Sequence, residues 1–285
     1  MPDASTPARA PRAEDTKASR RFTVCGGTDV GRERDENQDT FVIADLASGR
    51  MSRPCVRTEV SVCRPGMLAV VCDGMGGPPA GDVAAEVAAA TIKDELAGAG
   101  SALVNAPGPA LKSALEGANR AILAEANAHP EDKGMGTTCT AAVFGLDHLC
   151  LAQVGDSRAY LLRGGRLELL TRDQTMASQL VEAGVLRPDQ VEHFPYRHVL
   201  AQALGTTGRV QPVITDIPLQ EGDRVLLCSD GLHGPVPDDA IASILKAPDD
   251  PAATAQALIA AALASGGPDN VTVVVADCGP FEAPR

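Results

Sequence analysis

The 285 residues predict an α+β fold built in layers. Three observations carry that expectation. Closely spaced strands from Thr138 to Leu170 are joined by very short connections. Two Ala-rich helical stretches, about Gly81–Ala97 and Pro109–Ala128, stand together before them, and a second pair, about Asp238–Leu245 and Pro251–Ala264, stands apart near the C-terminus. Finally, strands and helices do not alternate one by one, as they would in a parallel sheet of βαβ units.

Taken in order, residues 1–21 are rich in Pro, Ala and Arg, offer nothing to bury, and are expected to form a disordered tail. Short β-rich runs at Phe22–Cys25 and Thr40–Asp45 predict two strands separated by the charged loop Thr28–Asp39. Ala47–Pro65 reads as a polar insert. Met67–Cys72 is a continuous apolar run and so a buried strand, halted at Asp73-Gly-Met-Gly-Gly77. In the first helical stretch Val83, Val87 and Ala90 are expected to form the apolar stripe. Strands follow at Thr138–Phe144, Leu149–Val154, Arg158–Leu162 and Leu167–Leu170. Their hairpin connections are Gly145-Leu-Asp-His148 and Arg163-Gly-Gly-Arg166, the Gly-Gly pair supplying the positive φ of a tight turn. Thr171–Gly208 is an excursion of loop and helix, with a helix near Met176–Ala183. The last strands are Val213–Ile217, Arg224–Cys228 and Asn270–Ala276, leaving residues 280–285 as a short tail.

Composition narrows function. Aromatic residues are 2% of the chain, with no Trp, which argues against base-stacking platforms. The net charge is −12, the wrong sign for tracking phosphate backbones, so nucleic acid is not an expected partner. The first 21 residues carry five basic and three acidic groups, so the rest of the chain carries −14. None of the eight cysteines lies in a C-x-x-C pair. Cys72, Cys139, Cys150 and Cys228 sit in apolar runs and read as small buried hydrophobes of a reducing compartment. Cys55 and Cys63 flank a polar stretch, where a hairpin would bring them together. No apolar segment of signal-peptide type or membrane-spanning length is apparent, which predicts a cytoplasmic protein without membrane contact.

The chemistry is announced by aspartates at strand ends. Cys72-Asp73-Gly74, Val154-Gly-Asp156-Ser157 and Cys228-Ser-Asp230-Gly231 each place an acid just past an apolar run, and Pro268-Asp269-Asn270 places one just before a strand. A carboxylate at the end of a buried strand is costly unless a cation meets it. If these ends converge, four carboxylates share a site that calls for a hard divalent cation, Mg²⁺ or Mn²⁺. The loop from Arg34 to Asp39 has the first EF-hand spacings at Asp35, Asn37 and Asp39. It fails as a calcium loop, with Thr40 where Gly is needed and Leu46 where Glu is needed. Arg34 in that loop is suited to hold a phosphate against metals through its planar fork. His233, three residues past Asp230, could reach the same site, against the plainer reading of a loop residue.

Other phosphate chemistries are missing their signatures. There is no C-x₅-R, no D-x-D, no G-x-x-x-x-G-K-[ST], no H-E-x-x-H and no G-x-S-x-G. What remains is in-line attack by water activated between two metals.

Six motifs, in order, carry a resemblance: Arg34-(x)₂-Asn37-Gln38-Asp39, Asp73-Gly-Met-Gly-Gly77, Gly134-Met-Gly-Thr-Thr138, Val154-Gly-Asp-Ser-Arg158, Ser229-Asp-Gly-Leu232 and Pro268-Asp-Asn-Val-Thr272. Together they resemble the metal-dependent serine/threonine protein phosphatases of type 2C in their bacterial form, over about 22–279. The resemblance implies a four-layer α/β/β/α sandwich, with two central antiparallel sheets, flanking helix pairs and a flap subdomain over 171–208. It also implies hydrolysis of phosphoserine and phosphothreonine on proteins by a hydroxide bridging two Mn²⁺ or Mg²⁺ ions. Asp73 matches the bridging carboxylate, the Gly74 carbonyl a ligand of the second ion, and Asp230 and Asp269 the further ligands of the first. Asp39 matches an acid that holds metal-coordinated water, Arg34 the phosphate-binding arginine, and Asp156 the ligand of a third, weaker ion seen in many members.

Three positions depart from the pattern. Gln38 stands where many relatives have Glu, so it would reach the second ion through water. Met75 stands where some members place a general-acid His, and Gly234 stands where an acid would help Asp230 with the third ion. The implied partners are phosphoproteins, targets of a cytoplasmic Ser/Thr kinase, met by a monomer. The alternative reading is a catalytically silent phosphoprotein-binding domain of the same fold.

Overall fold

The computed structural model describes residues 18–52, 56–76 and 80–283. Among these described residues twelve strands form two antiparallel sheets. One contains β1 (Ser19–Asp29), β3 (Thr58–Val62), β8 (Arg158–Arg163), β9 (Arg166–Leu169), β11 (Arg224–Cys228) and β12 (Val271–Glu282), in the order β3-β1-β12-β11-β8-β9. The other contains β2 (Asp39–Asp45), β4 (Met67–Met75), β6 (Cys139–Phe144), β7 (His148–Val154) and β10 (Val213–Pro218), in the order β10-β7-β6-β4-β2. A two-residue strand, β5 (Gly136–Thr137), pairs with the end of β4.

Strand alternation explains the layers. Met67, Ala69 and Val71 of β4 face the other sheet, alongside Val274 and Ala276 of β12 and an edge-to-face pair of Phe22 and Phe144 at 5.4 Å. Leu68, Val70 and Cys72 face outward onto α1 (Ala80–Gly98) and α3 (Pro107–Ala128), which are linked through the short α2 (Ser101–Asn105). After α4 (Met176–Glu182) and the single-turn α5 (Asp230–His233) come α6 (Asp238–Lys246) and α7 (Pro251–Ala264), onto which Val271, Val273 and Val275 face outward. The inner strands β4, β11 and β12 are therefore covered on both faces, which is why they read as apolar runs. The expected four-layer α/β/β/α sandwich is the observed one. Cys72, Cys139, Cys150 and Cys228 are buried in it, as expected.

Several boundaries differ from the expectation. The N-terminal tail was expected to extend to residue 21, but β1 begins at Ser19, because Arg20 is drawn into the structure and Arg21 pairs with Glu282 at 2.9 Å. For the same reason β12 continues to Glu282, past the expected end at 279. The insert contains β3, which looked polar because Glu59 and Ser61 face solvent while Val60 and Val62 are buried. On α1 the buried stripe is Ala84, Ala88 and Ile92; Val83 and Val87 lie at its margin and Ala90 is exposed. Alanines take the buried face because α1 and α3 pack closely: a side chain on Gly117 of α3 would collide with Glu95. The Cys55 pairing, most of the N-terminal tail and the end of the glycine motif at Gly77 lie outside the described residues. Among the described residues no helix is long and apolar enough to cross a membrane.

Candidate metal centre

The register of β2 on β4 places Asp39 directly opposite Asp73. Two like charges side by side on neighbouring strands oppose pairing unless something neutralises them. Asp230 opens the single-turn helix α5 (Asp230–His233) after β11, and Asp269 precedes β12. Asp156 lies in the turn between β7 and β8. Asp73, Asp156, Asp230 and Asp269, with Arg34 and Gln38, line one cleft of about 720 Å³ at this end of the sandwich. The strand-end aspartates do converge.

A frame of hydrogen bonds holds them. The Ser229 hydroxyl donates to Asp39 Oδ2 at 2.6 Å and accepts from the Thr272 amide at 2.9 Å, fastening β2 to the other sheet. Thr138 Oγ1 accepts from the Asp73 amide at 3.1 Å and lies 2.6 Å from the Ser157 hydroxyl. The Asn270 side chain donates to the carbonyls of Val30 and Glu36 and accepts from the Gln38 amide, so one amide shapes the whole Arg34 loop. The Gly74 amide donates to the Gln38 carbonyl at 3.1 Å, and a Cβ at Gly74 would stand 2.2 Å from the Gly81 carbonyl oxygen. No side chain fits there, which leaves the Gly74 backbone at the cleft.

The electrostatics are those of an acid cluster short of positive charge. Burial, with Asp230 and Asp269 nearby, pushes Asp39 up to about 8. Burial and the same neighbours hold Asp73 well above the carboxylate range. Burial followed by Asp269 raises Asp230, and burial followed by Asp230 pushes Asp156 up to about 7. Asp39 Oδ1, Asp230 Oδ1 and Gln38 Nε2 are buried with no hydrogen-bond partner.

Arg34, expected to hold a phosphate against the metals, lines the cleft and donates to Asp269 Oδ2 at 2.7 Å. It remains half exposed, with no other hydrogen bond among the described residues. His233 is not among the residues that line the cleft: its Nε2 meets the Asp156 carbonyl at 3.1 Å, and burial lowers it to about 4. Among the described residues no three acid, imidazole or thiolate side chains close around a single point. The acids ring the cleft, with Arg34 on Asp269 and Ser229 on Asp39. At Gly234 a Cβ would lie 2.9 Å from the Asp230 carbonyl oxygen, so a side chain there would have to displace α5.

Residues 58–264 match the family described as Protein phosphatase 2C. The chain belongs to the protein phosphatase 2C family. It is 42% identical over 234 residues to the serine/threonine protein phosphatase PstP of Mycobacterium tuberculosis, covering 81% of this chain and 44% of that protein, so the chain spans less than half the length of that relative. It is 33% identical to the serine/threonine phosphatase stp of Listeria welshimeri, over 88% of this chain and 93% of the relative. Among solved structures, the crystal structure of M. tuberculosis PstP superimposes with a TM-score of 0.76 at 36% identity, covering 91% of this chain and all of that one. The catalytic domain of PstP in complex with two manganese ions gives 0.73 at 34% identity, over 92% of this chain and all of that one. Arg34 and Asp39 precede the residues matched to the 2C family and Asp269 follows them. Their membership of the site therefore rests on the cleft geometry.

Sequence reasoning left Ser229, Thr138, Ser157 and Asn270 without roles, although each falls inside or beside a motif. For Ser229, Ser157 and Asn270 the available signal was a hydroxyl or amide adjacent to a strand-end Asp, the chemistry that buried carboxylates and their backbones require; Thr138 had no such neighbour.

Proposed function

We propose that the protein is a metal-dependent serine/threonine protein phosphatase. The observation that carries the reading is that Asp39 and Asp230 each keep one buried carboxylate oxygen with no donor, at a cleft where Asp230 is joined by Asp73, Asp156 and Asp269 and the one guanidinium is that of Arg34. A buried acceptor without a donor fits a cation, and hard oxygens fit Mg²⁺ or Mn²⁺. Asp73, Asp230 and Asp269 would hold a first ion. Asp73, the Gly74 carbonyl and, through water, Gln38 would hold a second, and Asp156 a weaker third. The manganese complex of PstP supports this reading by likeness. When bound, such ions supply Lewis-acid charge and make water nucleophilic at neutral pH.

The chain's own groups do the rest. Arg34 commits only Nη2 to Asp269, so its fork is free to bind two phosphoryl oxygens as charge builds on them. Asp39 is fixed through Oδ2 by Ser229, so Oδ1 is the acceptor that orients the attacking water and takes its proton. Met75, partly exposed at the rim, offers no proton, so the departing serine or threonine oxygen takes one from water. His198 to Leu200, within the 171–208 excursion that we assign as the flap, line the same cleft and would face the substrate chain. The substrates would be phosphoproteins made by a cytoplasmic Ser/Thr kinase, met by a monomer.

Turnover of a phosphothreonine peptide with Mn²⁺ tests the assignment. Wild-type activity should be abolished by EDTA, and Asp230→Ala should lose it even in excess Mn²⁺. Full Mn²⁺-dependent activity in Asp230→Ala would refute the ligand set. No hydrolysis by the wild type in excess Mn²⁺ would leave the silent binding domain.

A further inference from the structure

The end of the sandwich opposite the cleft has the reverse charge problem. Arg20, near the start of β1, is 7% exposed. Its Nη1 donates to the Leu219 carbonyl at 3.2 Å and to Cys278 Sγ at 3.3 Å, and its Nε is buried without a partner. Burial pushes the Cys278 thiol up to about 11, so it meets Arg20 as a neutral group. The acids on that side are committed or solvated. Asp223 gives both oxygens to Arg163 and one also to the Gln220 amide, and Glu221 is exposed. Among the described residues no carboxylate forms an ion pair with Arg20. A buried guanidinium faced by a carbonyl and a thiol is an uncompensated charge, which burial penalises until an anion meets it.

Arg20 lines a cavity of about 440 Å³ with Arg64, Asp147, Leu146 and Phe281. Arg64 is exposed and has no ion pair among the described residues. The one acid of the cavity, Asp147, is held by His148 Nδ1 at 3.0 Å. A neighbouring cavity of about 300 Å³ shares Arg64, Leu146 and Asp147 and reaches the first turn of α3. In the first cavity two guanidinia thus stand against one carboxylate that already has a partner, beside an apolar wall of Leu146 and Phe281; Asp216 and His148 line only the neighbouring cavity.

We propose that this cavity is an anion-binding site, in which carboxylate or phosphoryl oxygens are held between the guanidinia of Arg20 and Arg64, with any apolar part of the ligand on Leu146 and Phe281. The forked donors of arginine suit both kinds of oxygen. Eight residues of extended β1 separate Arg20 from Thr28 beside the cleft, roughly 26 Å, so this site is separate from the phosphatase centre.

The test is thermal melting of the full chain in EDTA, which removes metal-dependent phosphate binding at the cleft. Inorganic phosphate and malonate are each compared with chloride at matched ionic strength. At least one should raise the wild-type midpoint by several degrees, the larger shift telling phosphoryl from carboxylate preference. Arg64→Ala should lose that shift and Arg34→Ala should keep it. Arg20→Gln should also lose it; if that variant does not fold, the exposed Arg64 still decides. An equal shift in Arg64→Ala would mean general exclusion of these salts from the surface and would overturn the proposal. So would a shift lost only in Arg34→Ala, or no shift beyond chloride with either anion.

Discussion

Aspartates occur at both ends of the same strands, and they are treated in opposite ways. At the far end, Asp223 is 1% exposed and takes a two-pronged grip from Arg163 at 2.8 and 2.7 Å, while Asp277 takes one from Arg224 at 2.6 and 2.9 Å. At the cleft end, Asp39 and Asp230 keep buried oxygens with no donor, and Asp73 stands opposite Asp39 across two strands. Burial of an acid therefore does not mark a site in this molecule. Its lack of a protein partner does, because folding alone would have removed or paired such a charge.

The sharpest way to break this contrast is to neutralise one acid from each end. Asp73→Asn removes the carboxylate shared by both proposed ions, and activity should fall roughly 10³-fold or more, the size of effect expected when several kcal/mol of charge stabilisation are lost. Yet the EDTA-treated variant should melt no lower than wild type, since a crowded buried charge has gone. A lower melting point for the metal-free variant would mean that Asp73 is paired in a way the cleft does not reveal.

At the far end the signs reverse. Arg163→Ala leaves Asp223 buried with only the Gln220 amide, and should lower stability by roughly 2–3 kcal/mol, moderated because Arg163 is itself one-third exposed. Urea midpoints at unchanged m-value measure this. Turnover per folded molecule should stay near wild type.

A third difference between the ends is pH. Asp39 and Asp156 hold protons in the metal-free fold up to about 8 and about 7, against an ordinary value of 3.8. Between those limits the native state binds more protons than the unfolded chain. Stability of the EDTA-treated protein should therefore fall as pH rises from about 4 toward 8. Denaturant midpoints across that range should show the decline, and Asp39→Asn should flatten part of it. A flat wild-type profile would mean that the cleft acids are solvated.

The layers were legible because β4, β11 and β12 are buried on both faces and announce themselves as apolar runs. The polar alternation of β3 hid it, since only Val60 and Val62 face inward. The stripe of α1 was misplaced because the valines look like the core, whereas helix packing selected the alanines. At the site, the acids were readable from their place at strand ends. Arg34's partner was not: its loop folds back on Asn270, a side chain distant in sequence, and this carries Arg34 to Asp269. Hydrogen bonds from single side chains to remote backbone leave no periodicity to read. Ser229, Thr138 and Asn270 escaped notice for that reason.

Gln38 gives the smallest and most discriminating perturbation of the cleft end. Its Nε2 is buried without an acceptor, and its Oε1 lies where a Cβ on Gly81 would approach to 2.6 Å, so the first turn of α1 fixes the amide at the cleft. Gln38→Glu keeps that shape and adds a negative charge among Asp39, Asp73 and Asp230. With no cation the added charge is repelled, so the EDTA-treated variant should melt below wild type. With Mn²⁺ the repulsion becomes attraction, and calorimetric titration should show affinity raised roughly tenfold, about 1.4 kcal/mol. The two changes must have opposite signs if a cation sits within reach of residue 38. A variant that melts lower without binding Mn²⁺ more tightly would place Gln38 beside the acids but away from the metal.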